Sequence, residues 1–244
     1  MDAHSLDAHS LARALRVEAE ALAVAATLAP PDRDVPACPG MTIGDLLVHV
    51  GSIHRVVAQW IARGARPADW ECSPGDADLV DWYRVGAAAL IAVLDPARAA
   101  APAATWCPWD GTVGFWVRRM AHETAVHRVD AQAATGSAAP LEPGLAADGV
   151  DEVLRLWLGC HQPPGVHTSG RAVTLRVPGR EWTVALHEGI VDYCPRADPA
   201  AVVSGSASAV DLWLWGRVGE EDVSVEGDVA VVRALRSAVA AATG

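Results

Sequence analysis

The sequence predicts an α plus α+β fold, in which a helical bundle is followed by a small domain of strands and helices. Two observations support this division. Up to about residue 160 the apolar residues recur with helical spacing, whereas later segments alternate apolar and polar residues as strands do. The 244 residues suffice for one large domain or two small ones, and a hydrophobic content of 51% excludes global disorder. We therefore predict a bundle over 1–162 and an α+β domain over 163–244.

Each predicted helix is bounded by residues that favour its start or its end. Pro30 and Gly136 stop the first and fourth helices. Thr42 and Asp45 have the spacing of a capping box, and Ser73 precedes a proline that suits the first position of the third helix. The five predicted helices cover residues 5–29, 42–63, 74–94, 113–135 and 144–160.

The C-terminal part contains strand patterns. In residues 171–189 apolar and polar side chains alternate on both sides of a Pro178-Gly179 turn, which predicts a hairpin. Residues 201–218 have the pattern of a strand, a Gly-Ser turn and a helix, and residues 223–241 that of a strand, a turn and a terminal helix. Strands and helices in this order predict the α+β domain.

Charge and composition argue against two classes of partner. The net charge is −11 and the basic residues form no run, which disfavours nucleic acid. No stretch of about 18 apolar residues is free of charge, so no membrane span is predicted. The N-terminal residues lack the pattern of a signal peptide and the five cysteines form no CxxC motif, so we expect a cytoplasmic protein with reduced thiols.

The fourth predicted helix places a carboxylate and an imidazole on its apolar face. At about 100° per residue, Glu123 and His127 lie about 20° on either side of Trp116, whereas Arg118 and Arg128 fall on the opposite side. A carboxylate buried in an apolar stripe is costly unless it is paired or bound to a cation.

A third polar residue is predicted to face the same core. His49 shares its helix face with apolar residues and should point inward, while His54 falls at the edge of that face and His122 lies about 100° away from Glu123 around its helix. Two imidazoles and a carboxylate suit Zn²⁺, and a catalytic zinc keeps a fourth position open; Ni²⁺ or Fe²⁺ would accept the same donors. The predicted metal ligands are His49, Glu123 and His127.

From the residues alone, other interpretations stay open. His49 could be a hydrogen-bonded core histidine, and Glu123 with His127 could be a surface pair. Asp130, one turn after His127, could accept an imidazole N–H or could be a solvated acid. The remaining histidines have no neighbouring ligand types and are predicted to be structural: His4, His9, His161, His167 and His187.

Two segments resemble a known family. "MTIGDLLVHVGSIHRVVAQW" and "HETAVHRVDA" are similar to the mycothiol-dependent maleylpyruvate isomerase family, whose N-terminal half is a DinB-like four-helix bundle. "VVSGSASAVDLWLWGRV" and "VEGD" resemble its C-terminal α+β domain, which is similar to sterol-carrier proteins. The resemblance implies a divalent metal, usually zinc, on His49, Glu123 and His127, and the thiol mycothiol as a cofactor.

This resemblance leads to a hypothesis about function. A thiolate of mycothiol, formed at the open position of the zinc, would add to a small electrophilic substrate, and the outcome would be isomerisation or S-transfer. Arg84 could bind a substrate carboxylate through its planar fork, or it could be a surface arginine. Arg217 could reach a cleft between the domains, or it could form a structural salt bridge.

Two alternative functions remain at this stage. One is a zinc hydrolase that uses metal-activated water, although no separate general base is identifiable in the sequence. The other is a non-catalytic protein that binds a small molecule and has a structural metal. A structural zinc usually has four protein ligands, so three ligands favour catalysis. The sequence does not define the electrophile or the oligomeric state.

Overall fold

In the described part of the first unit, which extends to Ala139, the chain forms four α-helices. In this computed structural model the described residues are 6–70, 72–161, 165–188, 190–193 and 198–243. The predicted order of a helical region and a mixed sheet unit is confirmed. The helices of the first unit are α1 (Ala8–Thr27), α2 (Ile43–Arg63), α3 (Leu79–Val93) and α4 (Val113–Ala134).

Side-chain caps define where these helices begin. The capping box of α2 is present, since Thr42 and Asp45 satisfy each other's backbone N–H groups. The predicted start of the third helix at Ser73 is wrong. The Ser73 hydroxyl accepts a hydrogen bond from the Gly75 N–H in a local turn, and the helix begins only after Asp78, whose carboxylate caps it.

Helices α2 and α3 approach each other closely at Gly51. A Cβ atom at this position would lie 2.3 Å from a ring carbon of Trp82, so no larger residue fits without a shift of the ring. Arg55 lies over the same ring at 3.7 Å and donates to the Gly51 carbonyl at 2.9 Å. This close contact brings His54 of α2 against the buried Tyr83 of α3.

Helix α4 is buried on nearly all sides because it packs against both α1 and α2. Arg128, which the helical wheel places opposite the apolar stripe, is therefore buried as well. The residue is 4% exposed, and its Nε donates to Glu18 of α1 at 2.6 Å. A helical wheel identifies the most apolar face, but it does not indicate that a second helix covers the opposite face.

The second unit begins at Pro140 and contains the sheet. Its elements are α5 (Pro143–Glu152), α6 (Leu158–His161), β1 (Ala172–Val177), β2 (Arg180–His187), β3 (Ile190–Asp192), β4 (Ala201–Ser204), α7 (Ala207–Leu214), β5 (Ser224–Gly227) and α8 (Val229–Thr243). Helix α5 continues through a π-helical segment, Val153–Trp157, into the short α6. The strand order is β3-β2-β1-β4-β5, with β1 and β4 parallel and the other neighbours antiparallel.

The predicted elements of this unit are present, including the hairpin of β1 and β2 around Pro178-Gly179. The division between the units at Ala139 and Pro140 precedes the predicted boundary at 162 and 163. That prediction followed the change from helical to strand patterning, whereas α5 packs against α7 and so belongs with the sheet. His4, one of the histidines predicted to be structural, lies outside the described residues. None of the described helices has the length and hydropathy of a membrane span.

The buried ion pair between Arg128 and Glu18 generates a first prediction. Substitution Arg128→Met should lower the free energy of unfolding by about 3–5 kcal/mol, because it leaves the Glu18 carboxylate buried without its guanidinium. The double variant Glu18→Leu/Arg128→Met should recover most of that loss. Urea titration of the purified variants measures both values.

The matched control is the exposed pair of Arg84 and Glu20, which also joins α1 to another helix. Arg84→Met should lower the free energy of unfolding by no more than about 1 kcal/mol, since solvent screens this pair. If Arg84→Met and Arg128→Met lower the free energy of unfolding equally, the assignment of Arg128 as a buried structural charge is contradicted.

Candidate metal centre

The three predicted ligands converge on one point in the first unit. One ligand atom each from His49, Glu123 and His127 lies within 4.8 Å of the other two. Helix α4 supplies Glu123 and His127 one turn apart, and α2 supplies His49. The Oε1 atom of Glu123 lies 3.3 Å from His127 Nε2 and 3.7 Å from His49 Nε2. Two imidazole nitrogens and one carboxylate oxygen in this arrangement are a donor set that suits a divalent transition metal.

The three side chains differ in exposure. The side chains of Glu123 and His127 are 15% and 12% exposed, whereas that of His49 is 44% exposed. The prediction that His49 points into the core is therefore wrong. It lies at the edge of the buried stripe of α2, one turn after the exposed Asp45. The cluster consequently has a buried side formed by α4 and a solvent-facing side formed by His49.

A hydrogen-bond chain holds the His127 ring from behind. His127 Nδ1 lies 2.9 Å from Asp130 Oδ2, and the carboxylate of Asp130 is fully buried. The Cys38 thiol donates to the same oxygen at 3.5 Å. Of the two interpretations of Asp130, the acceptor for an imidazole N–H is therefore correct. This contact leaves Nε2 as the nitrogen directed at the cluster.

Arg119 was missed by the sequence reasoning. Its side chain is 3% exposed, and its Nη2 donates to Glu123 Oε2 at 3.0 Å. The spacing of four residues between Arg119 and Glu123 was the available signal, because residues four apart on a helix are neighbours.

The charges of the cluster are strongly coupled. Burial alone would raise the pKa of Glu123, but hydrogen bonds from His127 and His49, with the charges of His127 and Arg119, hold this pKa well below its usual value. Burial likewise disfavours a charged His127, yet hydrogen bonds to Asp130 and Cys38 and the Glu123 carboxylate raise its pKa well above the ordinary value. A cation bound at this point therefore competes with the proton on His127 Nε2.

Other predicted residues lie outside this cluster. Arg84 forms a two-pronged salt bridge with Glu20, at 2.7 and 3.2 Å, and both side chains are exposed. Its guanidinium fork is thus occupied by a carboxylate of the protein, and its predicted role in substrate binding stays a prediction. Arg217 donates to the Trp215 carbonyl at 2.7 Å within the second unit. No described group of potential metal ligands includes His122, His9, His161, His167 or His187.

His54 occupies a different position from the one predicted. It is fully buried rather than at the edge of α2, and its Nε2 lies 3.0 Å from the Thr124 hydroxyl of α4. Its Nδ1 has no hydrogen-bond partner within the described part of the chain. Burial lowers the pKa of His54 to about 4, so the ring is neutral at physiological pH.

Both units match family models. The first matches the mycothiol maleylpyruvate isomerase N-terminal domain over residues 7–132, and the second matches the C-terminal domain of the same proteins over residues 144–234. Together they define a two-domain protein with a helical unit that carries the ligand cluster. The chain belongs to the mycothiol maleylpyruvate isomerase family.

Solved structures show the same fold. A crystal structure of the mycothiol-dependent maleylpyruvate isomerase matches this chain with 16% sequence identity and a TM-score of 0.64. A crystal structure of a histidine-to-alanine mutant of that protein matches with 14% sequence identity and a TM-score of 0.65. Each comparison covers 92% of this chain and 95% of the other. The ubiquinone synthesis protein UbiJ-SCP2 has 20% sequence identity to this chain, and the comparison covers 40% of this chain and 96% of that chain. Its TM-score of 0.31 is too low to indicate a shared fold. The sterol-carrier-like character of the second unit therefore stays a prediction. No curated protein sequence matches significantly.

The buried His54 generates a second prediction, on acid stability. Its folded-state pKa of about 4 lies below the ordinary value of 6.5, so between these values the unfolded chain binds a proton that the folded chain does not. Stability therefore falls as the pH falls from about 6.5 towards 4. Lowering the pH from 8 to 5 should therefore reduce the free energy of unfolding by about 2 kcal/mol through His54 alone.

The variant His54→Gln should remove that contribution. Urea unfolding at pH 8 and pH 5 should give a smaller acid-induced loss for His54→Gln than for wild type, and His9→Gln, at an exposed site of the same unit, is the control. If wild type and His54→Gln lose the same stability between pH 8 and pH 5, His54 is not a neutral buried group in the folded protein.

Proposed function

We propose that this protein is a mycothiol-dependent isomerase that acts on a small conjugated diacid with a divalent cation, preferably Zn²⁺, on His49, Glu123 and His127. The observation that carries this proposal is the approach of the three ligand atoms to within 4.8 Å of one another. Family membership supports the isomerase activity and the thiol cofactor. The donor set supports the metal, since two imidazoles and a carboxylate with an open fourth position are typical of catalytic zinc.

Each residue of the cluster has a separate task in this proposal. Asp130 fixes the ring of His127 so that Nε2 is available as a donor. Glu123 supplies the negative charge that a dication requires, from a site where burial and Arg119 already orient it. His49 completes the donor set from the solvent-facing side, which makes that side the approach for the cofactor and the substrate.

The cofactors supply chemistry that the chain itself lacks. A bound divalent cation supplies a Lewis acid that favours the thiolate form of a coordinated thiol, whose pKa is otherwise about 8.5. Mycothiol supplies a nucleophilic sulfur whose reversible addition across a conjugated double bond permits rotation about that bond without net change in atoms. The task of the protein is to hold the ligands, exclude excess water from the α4 side and orient the electrophile.

A structural role for the metal is less well supported. Structural zinc sites normally have four protein ligands, whereas this group of described residues supplies three, and the third is 44% exposed. An exposed position next to the metal suits an exchangeable ligand. This observation favours catalysis over a purely structural metal.

A third prediction tests the metal site. His49→Ala, Glu123→Gln and His127→Ala should each weaken zinc binding by at least about 100-fold, because loss of an outer residue that only supports a ligand already costs 10- to 100-fold. Asp130→Asn, which changes such a supporting residue, should weaken zinc binding by about 10- to 100-fold. Competition with a chromophoric chelator at fixed pH gives the affinities, and metal analysis of the purified protein gives the stoichiometry.

The matched control for this experiment is His9→Ala, an exposed histidine in the same unit. It should bind zinc as wild type does. Retention of one tightly bound zinc by the His49, Glu123 and His127 variants would remove the three-residue site from consideration.

A fourth prediction concerns the thiol. Calorimetric titration of the zinc-loaded protein with mycothiol should give saturable binding that is lost after chelation and restored when zinc is added. In the presence of mycothiol the protein should convert maleylpyruvate to its trans isomer, and His127→Ala should abolish the conversion. Ultraviolet absorbance of the conjugated diacid follows the reaction.

Other outcomes identify the competing functions. Stoichiometric consumption of mycothiol with an electrophile would indicate S-transfer rather than isomerisation. Zinc-dependent hydrolysis of esters or amides without any effect of mycothiol would indicate a hydrolase and would contradict the thiol mechanism.

A further inference from the structure

The two oxygens of the Glu123 carboxylate have different partners. Oε1 faces His127 Nε2 at 3.3 Å and His49 Nε2 at 3.7 Å. Oε2 accepts a hydrogen bond from Arg119 Nη2 at 3.0 Å. Oε1 is therefore the oxygen that faces both imidazoles, whereas Oε2 is engaged by the guanidinium of Arg119.

We propose that Arg119 is a positioning residue that restricts Glu123 to coordination through a single oxygen. This inference rests on the proposed metal site and deepens it, because it concerns the number of donor atoms that the protein gives to the cation. With Oε2 held by Arg119, the protein supplies three donor atoms, and a fourth position stays available for an exogenous ligand.

Burial makes the contact between Arg119 and Glu123 persistent. The Arg119 side chain is 3% exposed and that of Glu123 is 15% exposed, so separation of the pair would leave a guanidinium buried without this carboxylate. The two residues lie one turn apart on α4, and the rigid helix fixes their spacing. The planar guanidinium occupies one carboxylate oxygen with a directed N–H group, which a freely rotating ammonium does less specifically.

Single-oxygen coordination has a chemical consequence. A carboxylate that binds through both oxygens would give the cation four protein donors, which is the count of a closed structural site. The positive charge of Arg119 also withdraws electron density from Glu123, which weakens this carboxylate as a donor and leaves the cation a stronger Lewis acid. Arg119 thus favours an open, catalytic type of site over a closed one.

Cobalt substitution tests the proposal without an activity assay. Co²⁺ that is four-coordinate absorbs visible light much more strongly than Co²⁺ with five or six ligands. In Arg119→Met the freed Oε2 should join the cation, so absorption per bound cobalt should fall several-fold relative to wild type. Arg119→Lys, which keeps a positive donor near Oε2, should restore most of the wild-type spectrum.

The matched control is Arg128→Met on the same helix. It removes an equally buried arginine from an ion pair with Glu18, outside the ligand cluster, so it should lower stability and leave the cobalt spectrum unchanged. Circular dichroism and thermal unfolding show whether each variant is folded. A folded Arg119→Met protein with the wild-type cobalt spectrum would overturn the proposal.

A second measurement needs no variant. In a crystal structure of the zinc-loaded wild-type protein, Glu123 Oε1 should lie about 2.0–2.2 Å from the metal while Oε2 keeps its hydrogen bond to Arg119. Both oxygens at coordinating distance would overturn the role of Arg119 but leave the metal site intact. Failure of the wild-type protein to bind zinc or cobalt at one ion per chain would instead overturn the proposed function itself.

Discussion

The largely buried carboxylate of Glu123 is the constraint on which the arrangement of the first unit depends. A negative charge at this depth is stable only with partners that offset its loss of hydration. The structure supplies these partners from one turn before it, through Arg119, and from one turn after it, through His127. His127 is in turn held by Asp130, which also accepts from the Cys38 thiol. A continuous polar chain therefore runs along one helix and ends in the loop before α2.

This chain explains why α4 is buried on several sides although it is rich in charged residues. Its ion pairs and hydrogen bonds are made within the helix or to its immediate neighbours, so α1 and α2 can pack against it. Arg128 and Glu18 repeat the pattern on the side that faces α1. Buried pairs of this kind add little net stability compared with apolar residues, but loss of one partner is severe. They therefore specify the position of α4 between α1 and α2 more than they strengthen the core.

The sequence predicted the parts of this arrangement that depend on local spacing. The capping box of α2, the hairpin at Pro178-Gly179 and the pairing of Glu123 with His127 all follow from intervals of two to four residues. The errors arose where burial depends on a distant element. His49 was predicted to face the core and is exposed, whereas His54 was predicted at the edge of the apolar face and is buried. The close approach of α2 to α3 at Gly51 buries His54, and a helical wheel contains no information on that contact. The burial of Arg128 has the same kind of cause, because α1 packs against α4 and Glu18 of α1 receives its guanidinium.

The three candidate ligands of the cluster are held to different degrees, and this difference follows from their helices. Glu123 and His127 share the rigid α4, and each has a buried partner, Arg119 and Asp130, that fixes its orientation. His49 comes from α2 and is the most exposed of the three. Within the described residues, its contacts with the cluster are those to Glu123 and to the ring of His127. A cation would thus meet a prearranged pair on α4, and His49 would close the site from the solvent side. In the proposed site, Arg119 would keep the second oxygen of Glu123 occupied, so closure by His49 would leave one position of the cation open, on the solvent-facing side that His49 borders.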